Sequence, residues 1–373
     1  MNKLLLKGVA AAFCMATMFG TTACGDDDDL VNVEPPVEET QDVILEGEIT
    51  SDMTLKAADN NLLRGFVYVT DGVTLTIEPG TVIKGEKSSK GSLIVERGGK
   101  LIAEGTAEKP IVFTSDQPKA SRTYGDWGGL ILCGKSIVNN TAGEAQIEGG
   151  PRSYYGGKDP EDNSGIVKYV RIEFAGYPLE PNKEINGLTC GGVGRGTTIE
   201  YVQVSFCGDD SFEWFGGTVN AKHLIAYKGW DDEFDTDYGF QGKLQFLLGV
   251  RDPKHADTSK SNGFESDNDA DGSNNTPLTT PVFSNVTLIG PFYGESAGKT
   301  ENDIFYVTED AANGAKGGSF QAAMHIRRNS SLNVYNSIFV GWPYGLYLQN
   351  ANVGAVVKNV IFAGMWEIGR ASC

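Results

Sequence analysis

The amino-acid sequence predicts an all-β chain coiled into a parallel β-helix, one elongated solenoid domain, and three observations carry that prediction. A short pattern recurs at Gly208-Asp-Asp-Ser-Phe-Glu-Trp214, Trp230-Asp-Asp-Glu-Phe-Asp-Thr236 and Lys260-Ser-Asn-Gly-Phe-Glu-Ser266. Its first two copies stand 22 residues apart, and self-similarity at a fixed period of this size marks a solenoid. From Val43 onward, short β-rich runs alternate with glycine turns and no amphipathic helix is evident. Two-residue hairpin signals are missing where an antiparallel sandwich would need them, and a coil supplies the crossovers that parallel strands require.

Composition agrees with this architecture. Glycine reaches 48 of 373 residues, well above the usual ~7%, while proline stays at 14, which favours many tight turns over a low-complexity chain. A solenoid can use this whole length as one domain, because each repeat packs only on its neighbours. The formal charge of -18 becomes more negative still once Lys3 and Lys7 leave with the targeting segment. Such a surface repels nucleic acid and anionic lipid and suits cations or neutral glycans.

In chain order, residues 1–23 form a targeting segment: Lys3 and Lys7, an apolar run from Val9 to Phe19, then small residues before Cys24. Residues 24–42 are an acidic tether with Pro35-Pro36 and no apolar periodicity. Residues 43–373 hold the β-helix domain. No later segment has the ~18 apolar residues of a membrane helix, so an α-helical transporter is excluded.

The rungs are legible individually. Val73-Thr-Leu-Thr-Ile77, Ser92-Leu-Ile-Val95, Leu101-Ile102 and Ile111-Val-Phe-Thr114 open the coil. A first recurring strand then appears at Val167-Lys-Tyr-Val-Arg-Ile-Glu-Phe174 and Ile199-Glu-Tyr-Val-Gln-Val-Ser-Phe206, with looser copies near Ala221, Lys243, Phe283, Val334 and Val357. A second follows it at Asn186-Gly-Leu-Thr189, Asp210-Ser-Phe-Glu213, Asp232-Glu-Phe-Asp235, Asn262-Gly-Phe-Glu265 and Ala323-Met-His325, and Tyr344-Gly-Leu-Tyr347 fits the same place. Side chains alternate across a strand, so Leu188, Phe212, Phe234, Phe264 and Met324 form one inward column. Asn186, Asp210, Asp232 and Asn262 fall two positions earlier, at the turn, where polar side chains bond exposed backbone. Irregular spacing at 253–261, 269–281 and 292–321 reads as loops projecting from the turns, where binding usually resides.

The opposite face of the second strand is acidic. Asp209 and Glu213, then Asp231, Glu233, Asp235 and Asp237, then Glu265 and Asp267 point outward. With strands ~4.8 Å apart, Glu213, Asp235 and Glu265 form a ladder of like charges that needs a cation or basic neighbours. Lys222, Lys228 and Arg251 are the basic candidates. Asp209, Glu213, Asp235 and Glu265 are therefore candidate ligand-binding residues, with Trp230 and Tyr238 at nearby turns as aromatic faces for sugar rings. Asp267-Asn-Asp-Ala-Asp-Gly272 places carboxylates at alternate positions before a turn glycine, so Asp267, Asp269 and Asp271 are candidate Ca²⁺ ligands. An EF-hand is excluded, since Leu278 stands where the closing glutamate belongs. The cysteines Cys133, Cys190, Cys207 and Cys373 allow several disulfide pairings; Cys190 aligns with inward Trp214, so a buried thiol is equally expected.

Several of these stretches resemble known families. Thr21-Thr-Ala-Cys24 is similar to the bacterial lipoprotein cleavage site, although Thr21 replaces the usual leucine, and Asp26 to Asp29 resembles the export signal of Bacteroidetes surface lipoproteins. The repeated strands resemble right-handed parallel β-helix proteins. Together these likenesses imply an outer-membrane surface lipoprotein held by lipid on Cys24, of a group whose activity is not fixed. The leading expectation is a non-catalytic binding module for glycan or another nutrient, working as an accessory of a Sus-type uptake complex. Gly208-Asp-Asp210 also resembles the paired aspartates of polygalacturonase-type glycosidases, whose Gly-His-Gly and Arg-x-Lys motifs do not occur here. Pectate-lyase-like enzymes set acidic calcium ligands beside a basic residue. An enzyme would accordingly draw its catalytic groups from Asp209, Asp231 and Arg251, as a calcium-dependent polysaccharide lyase or a glycosidase. A structural or adhesive module is the third expectation.

Overall fold

The computed structural model describes residues 40–180, 183–292, 318–350 and 354–372. The targeting segment, Cys24 and most of the tether lie outside the described residues. The rest is a succession of short strands joined into a 23-stranded sheet whose pairings are all parallel, with two separate two-stranded antiparallel pairs. Among the described residues no helix is long and apolar enough to cross a membrane.

Two ladders carry the repeat. The first contains Gly165–Glu173, Thr198–Ser205, Ala221–Tyr227, Lys243–Val250, Val282–Ile289, Ser331–Val340 and Gly354–Ala363, each paired with the next. Every one of these strands bends at a single residue in the left-handed region: Tyr169, Tyr201, His223, Phe246, Asn285, Asn336 and Asn359, with φ between 51° and 62°. The cost of that conformation is offset by stacking across rungs. Tyr169, Tyr201, His223 and Phe246 stack at 4.5, 4.4 and 5.0 Å, and the Asn359 amide donates to Asn336 Oδ1 at 3.1 Å. His223 is thus a packed ring in a bend.

The second ladder contains Leu130–Cys133, Leu188–Gly191, Phe212–Phe215, Phe234–Asp237, Phe264–Ser266, Ala322–Ile326, Tyr344–Gln349 and Glu367–Ser372. Its register puts Leu188, Phe212, Phe234, Phe264 and Met324 side by side, all essentially inaccessible, in the inward column read from the sequence. Phe212 and Phe234 stack at 5.4 Å, Phe234 and Phe264 meet at 5.8 Å. Each such ring contributes roughly 2–3 kcal/mol by leaving water. Cys190 lies in register with Trp214, and Cys133, Cys190 and Cys207 are free, buried thiols.

The turn row is a hydrogen-bonded staircase. Asp210 Oδ1 accepts from the Asp232 backbone N–H at 2.7 Å, Asp232 Oδ1 accepts from that of Asn262, and Asn262 Oδ1 accepts from that of Ala322 at 3.1 Å. Each side chain satisfies the exposed N–H of the following rung, which is why Asp or Asn recurs there.

Residues 134–164 leave the coil after Leu130–Cys133 and fold back over the outer face of the second ladder. They include a small hairpin, Ala145–Gln146 with Tyr154–Tyr155, that the sequence does not announce. Val138, Ile147 and Tyr155 pack there on Tyr68, Ile94, Ile131 and Phe215 in a second apolar cluster outside the coil.

Candidate functional site

Parallel register builds one outward column from Thr189 through Glu213, Asp235, Glu265 and His325 to Tyr347. Three carboxylates therefore follow one another at strand spacing. Asp210 and Asp232 add theirs from the turn. One ligand oxygen from each of Asp210, Glu213 and Asp235 lies within 4.8 Å of the others, and so it is for Asp232, Asp235 and Glu265 and for Asp209, Asp210 and Asp231.

These groups are poorly solvated. Asp210, Glu213 and Asp232 are buried, and Asp235 is partly so. Burial first, and then Glu148 and Asp235, push Glu213 well above the usual carboxylate range. Burial and the Glu265 and Asp267 carboxylates do the same to Asp235. Burial and then Asp232 raise Asp210, while burial and then Asp231 and Glu265 raise Asp232. Asp231 is pushed up to about 8 by burial and Asp257, despite the Ser259 hydroxyl that donates to it at 2.5 Å. Asp235 Oδ1 is enclosed and has no hydrogen-bond partner among the described residues. Asn186 relieves Glu213 by donating to Oε2, and also reaches Glu148 at 3.2 Å.

The basic residues stand at one end. Arg327 pairs with Glu265 and, at 2.8 Å, with Asp267, while Arg328 reaches Asp267 at 2.8 Å. His325 Nδ1 lies 3.1 Å from Glu265 Oε2, its Nε2 lies 2.8 Å from Gln349 Oε1, and its ring stacks on Tyr347 at 4.8 Å. Burial works to raise Glu265, but Arg327 and His325 outweigh it and hold its carboxyl below the ordinary value. The column thus grades from carboxylates held above their usual range at Glu213 and Asp235 to compensated charge at Glu265.

Several sequence-derived candidates fall elsewhere. Arg251 is wholly buried: it donates to the carbonyls of Gly229, Trp230 and Asn262 and pairs with Glu233 at 2.7 Å. A base on the outer face must reach solvent, so Arg251 is a scaffold residue. Lys222 pairs with Glu200 at 3.1 Å and Lys228 lies 4.0 Å from Asp252, so neither neutralises the ladder. Trp230 is also buried, packed edge-on to Tyr124 at 5.2 Å and against His255, and offers no face to a sugar. Glu233 points inward to Arg251 rather than outward, since its rung turns there. Tyr238 is half-buried and meets Phe215 edge-on at 6.0 Å. Asp209 and Asp231 are part-buried at the edge of the column, with Asp231 Oδ1 enclosed.

The Asp267–Gly272 loop does not gather its three carboxylates. Asp267 is taken by the two arginines. Asp269 Oδ1 accepts from the backbone N–H of Asp271 and Ser273 at 3.1 and 2.9 Å, closing its own turn, and Asp271 faces solvent. The closely spaced carboxylate oxygens sit on the strand column and the turn beside it instead. Sequence reasoning passed over Arg327 and Arg328 as partners; the Phe264-to-Met324 alignment, which puts His325 after Glu265, carried the signal. Glu148 arrives from the 134–164 excursion, and no periodicity pointed to it.

A family model described as a pectate-lyase-like β-helix domain matches residues 47–365. No curated protein sequence matches the chain.

Proposed function

Because the chain belongs to the pectate-lyase-like β-helix domain family, we propose that it is a carbohydrate-binding surface lipoprotein that holds a glycan over the Glu213–Asp235–Glu265 column with the help of a divalent cation. The observation that carries this reading is the enclosed, unpartnered Asp235 Oδ1 between two carboxylate triads. All-oxygen, all-anionic donors suit a hard cation such as Ca²⁺. Asp210, Glu213, Asp232, Asp235 and Glu265 would hold it, and the bound ion would supply a positive centre for ligand oxygens. The lipid anchor on Cys24, the outward-facing location and an accessory place on a Sus-type complex rest on the N-terminal sequence alone.

Binding without cleavage is favoured over lyase chemistry by the state of the arginine that pairs with Glu265. A lyase needs a base beside the cation, and a base must give up its proton easily. Burial tends to lower Arg327, yet Glu265 and Asp267 outweigh it and hold the guanidinium more firmly protonated than usual. Arg251, the other candidate, cannot reach the face at all.

The test is titration of the purified mature protein with pectate and other anionic or neutral glycans, with Ca²⁺ and with chelator, alongside an assay for new chain ends. Calcium-dependent binding that disappears in Asp235→Asn, with no new ends, is the expected result. New chain ends that vanish in Arg327→Ala would overturn the non-catalytic reading.

A further inference from the structure

The outward column does not begin at Glu213. Register carries it back through Thr189, Ile131 and Ile94 to Tyr68, one residue per rung on the same outer face. On an open solenoid those positions would be solvated, because successive side chains alternate between core and water. Here Ile94, Ile131 and Thr189 are at most 1% exposed and Tyr68 is 9% exposed. What covers Ile94, Ile131 and Tyr68 is the 134–164 excursion, packed on them through Val138, Ile147 and Tyr155.

That cover is a fixed wall. Tyr155 stacks on Phe215 at 5.8 Å, immediately beside the acidic rungs. The Asn139 amide donates to the Asn268 carbonyl at 2.7 Å and its backbone N–H to the Tyr238 carbonyl at 3.0 Å, so the wall continues along one flank of the acidic rungs. Arg152 braces the outer edge through Glu48 at 2.6 Å and Glu96 at 3.2 Å, with its guanidinium over the Tyr68 ring at 4.4 Å. From the same excursion Glu148 reaches Asn186, whose amide also meets Glu213, so the cover over the column itself closes at the first carboxylate.

From this blind end we infer that the site takes a glycan by a chain terminus and cannot accept an internal stretch of a polymer lying along the solenoid axis. The inference rests on the glycan-binding reading above and sharpens it to a class of ligand: chain ends and short oligosaccharides. An internal segment threaded over Asp235 would have to continue over Thr189 and Ile131, and that path is filled by apolar side chains in contact with one another. A terminal sugar needs no such path. Specificity of this kind comes from steric exclusion, which favours one ligand by barring the other.

The experiment uses the full mature chain and pectate fractions of clearly different mean length, at a calcium concentration below gelation, with stoichiometry read by calorimetric titration. End recognition gives one protein bound per chain for short and long fractions alike, and equal affinity per mole of chain ends. A stoichiometry that climbs in proportion to chain length overturns the inference while leaving glycan binding intact. Absence of heat and of complex with every fraction, in calcium and in chelator, overturns the glycan reading and the inference with it.

Discussion

The carboxylate column makes the metal-free protein respond to pH in the direction opposite to most proteins. Asp210, Glu213, Asp231, Asp232 and Asp235 all have folded-state pKa values raised above their unfolded ones, by burial first and by neighbouring carboxylates second, Glu148, Asp257 and Glu265 among them. In the intermediate range the folded chain therefore binds more protons than the unfolded chain, and stability falls as pH rises. Their contribution is fully present below the unfolded carboxylate range near pH ~4 and is lost as pH climbs through the folded values. For Asp231 the window ends at about 8. Its rise from 3.8 to about 8 corresponds to roughly 5–6 kcal/mol at ~1.4 kcal/mol per unit, a sizeable part of the ~5–15 kcal/mol that holds a domain together. Glu265, held down by Arg327 and His325, works the other way and withdraws stability only as the solution becomes acidic.

Calcium should cancel the loss. A cation that binds only the folded form adds about 2.7 kcal/mol at a hundredfold excess over its dissociation constant, and it binds best where the carboxylates are free of protons. The assay is thermal unfolding of the mature chain from pH 4.5 to 8.5 in chelator and in millimolar Ca²⁺. The two melting curves should lie together at the acidic end and separate steadily toward pH 8, the chelated sample falling. A chelated sample whose melting temperature stays level or rises across that range, with calcium making no difference, refutes the reasoning about the column.

Variants at Asp210, at Phe234 and at the Arg251–Glu233 pair probe the scaffold around it. Asp210→Ala removes the acceptor for the Asp232 N–H and should cost about 1–3 kcal/mol in urea unfolding, whereas Asp210→Asn keeps an acceptor oxygen, removes a like charge, and should be neutral or stabilising in chelator. Phe234→Ala opens a hole in the inward column between Phe212 and Phe264 and should cost about 3–5 kcal/mol by the same measurement. Arg251→Ala leaves Glu233 charged and buried, so a loss of about 3–5 kcal/mol is expected, and Arg251→Met paired with Glu233→Leu should recover most of it.

How much of this could be read from the sequence follows from what repeats. Phe212, Phe234 and Phe264 and the Asp210, Asp232 and Asn262 row recur at rung spacing, and a parallel solenoid converts such recurrence directly into neighbours in space. The inward column, the turn staircase and the outward Glu213, Asp235 and Glu265 were legible for that reason. Burial imposed from outside the repeat was not. Arg251 has the composition of a surface base, yet the Phe320 and Trp342 rings beside its guanidinium come from far along the chain. Asp267, Asp269 and Asp271 matched a calcium-loop spacing, but spacing cannot tell that two arginines 60 and 61 residues on will claim the first of them.

The outward column itself shows where a scaffold gives way to a site. Its chemistry changes along a single line of register: Tyr68, Ile94 and Ile131 are sealed, Thr189 is the hinge, Glu213, Asp235 and Glu265 are anionic, and His325, Tyr347 and Arg370 stack beyond them. Nothing in the fold requires carboxylates there. The coil closes equally well over isoleucine, as its own earlier rungs prove, and like charges at ~4.8 Å spacing oppose it. The staircase aspartates have a structural reason to be acidic or amidic; Glu213 and Asp235 have none. A destabilising row held in place by an otherwise well-packed solenoid is what the proposed cation site would account for, since the Arg327 guanidinium eases Asp235 without outweighing its burial and the Glu265 and Asp267 carboxylates.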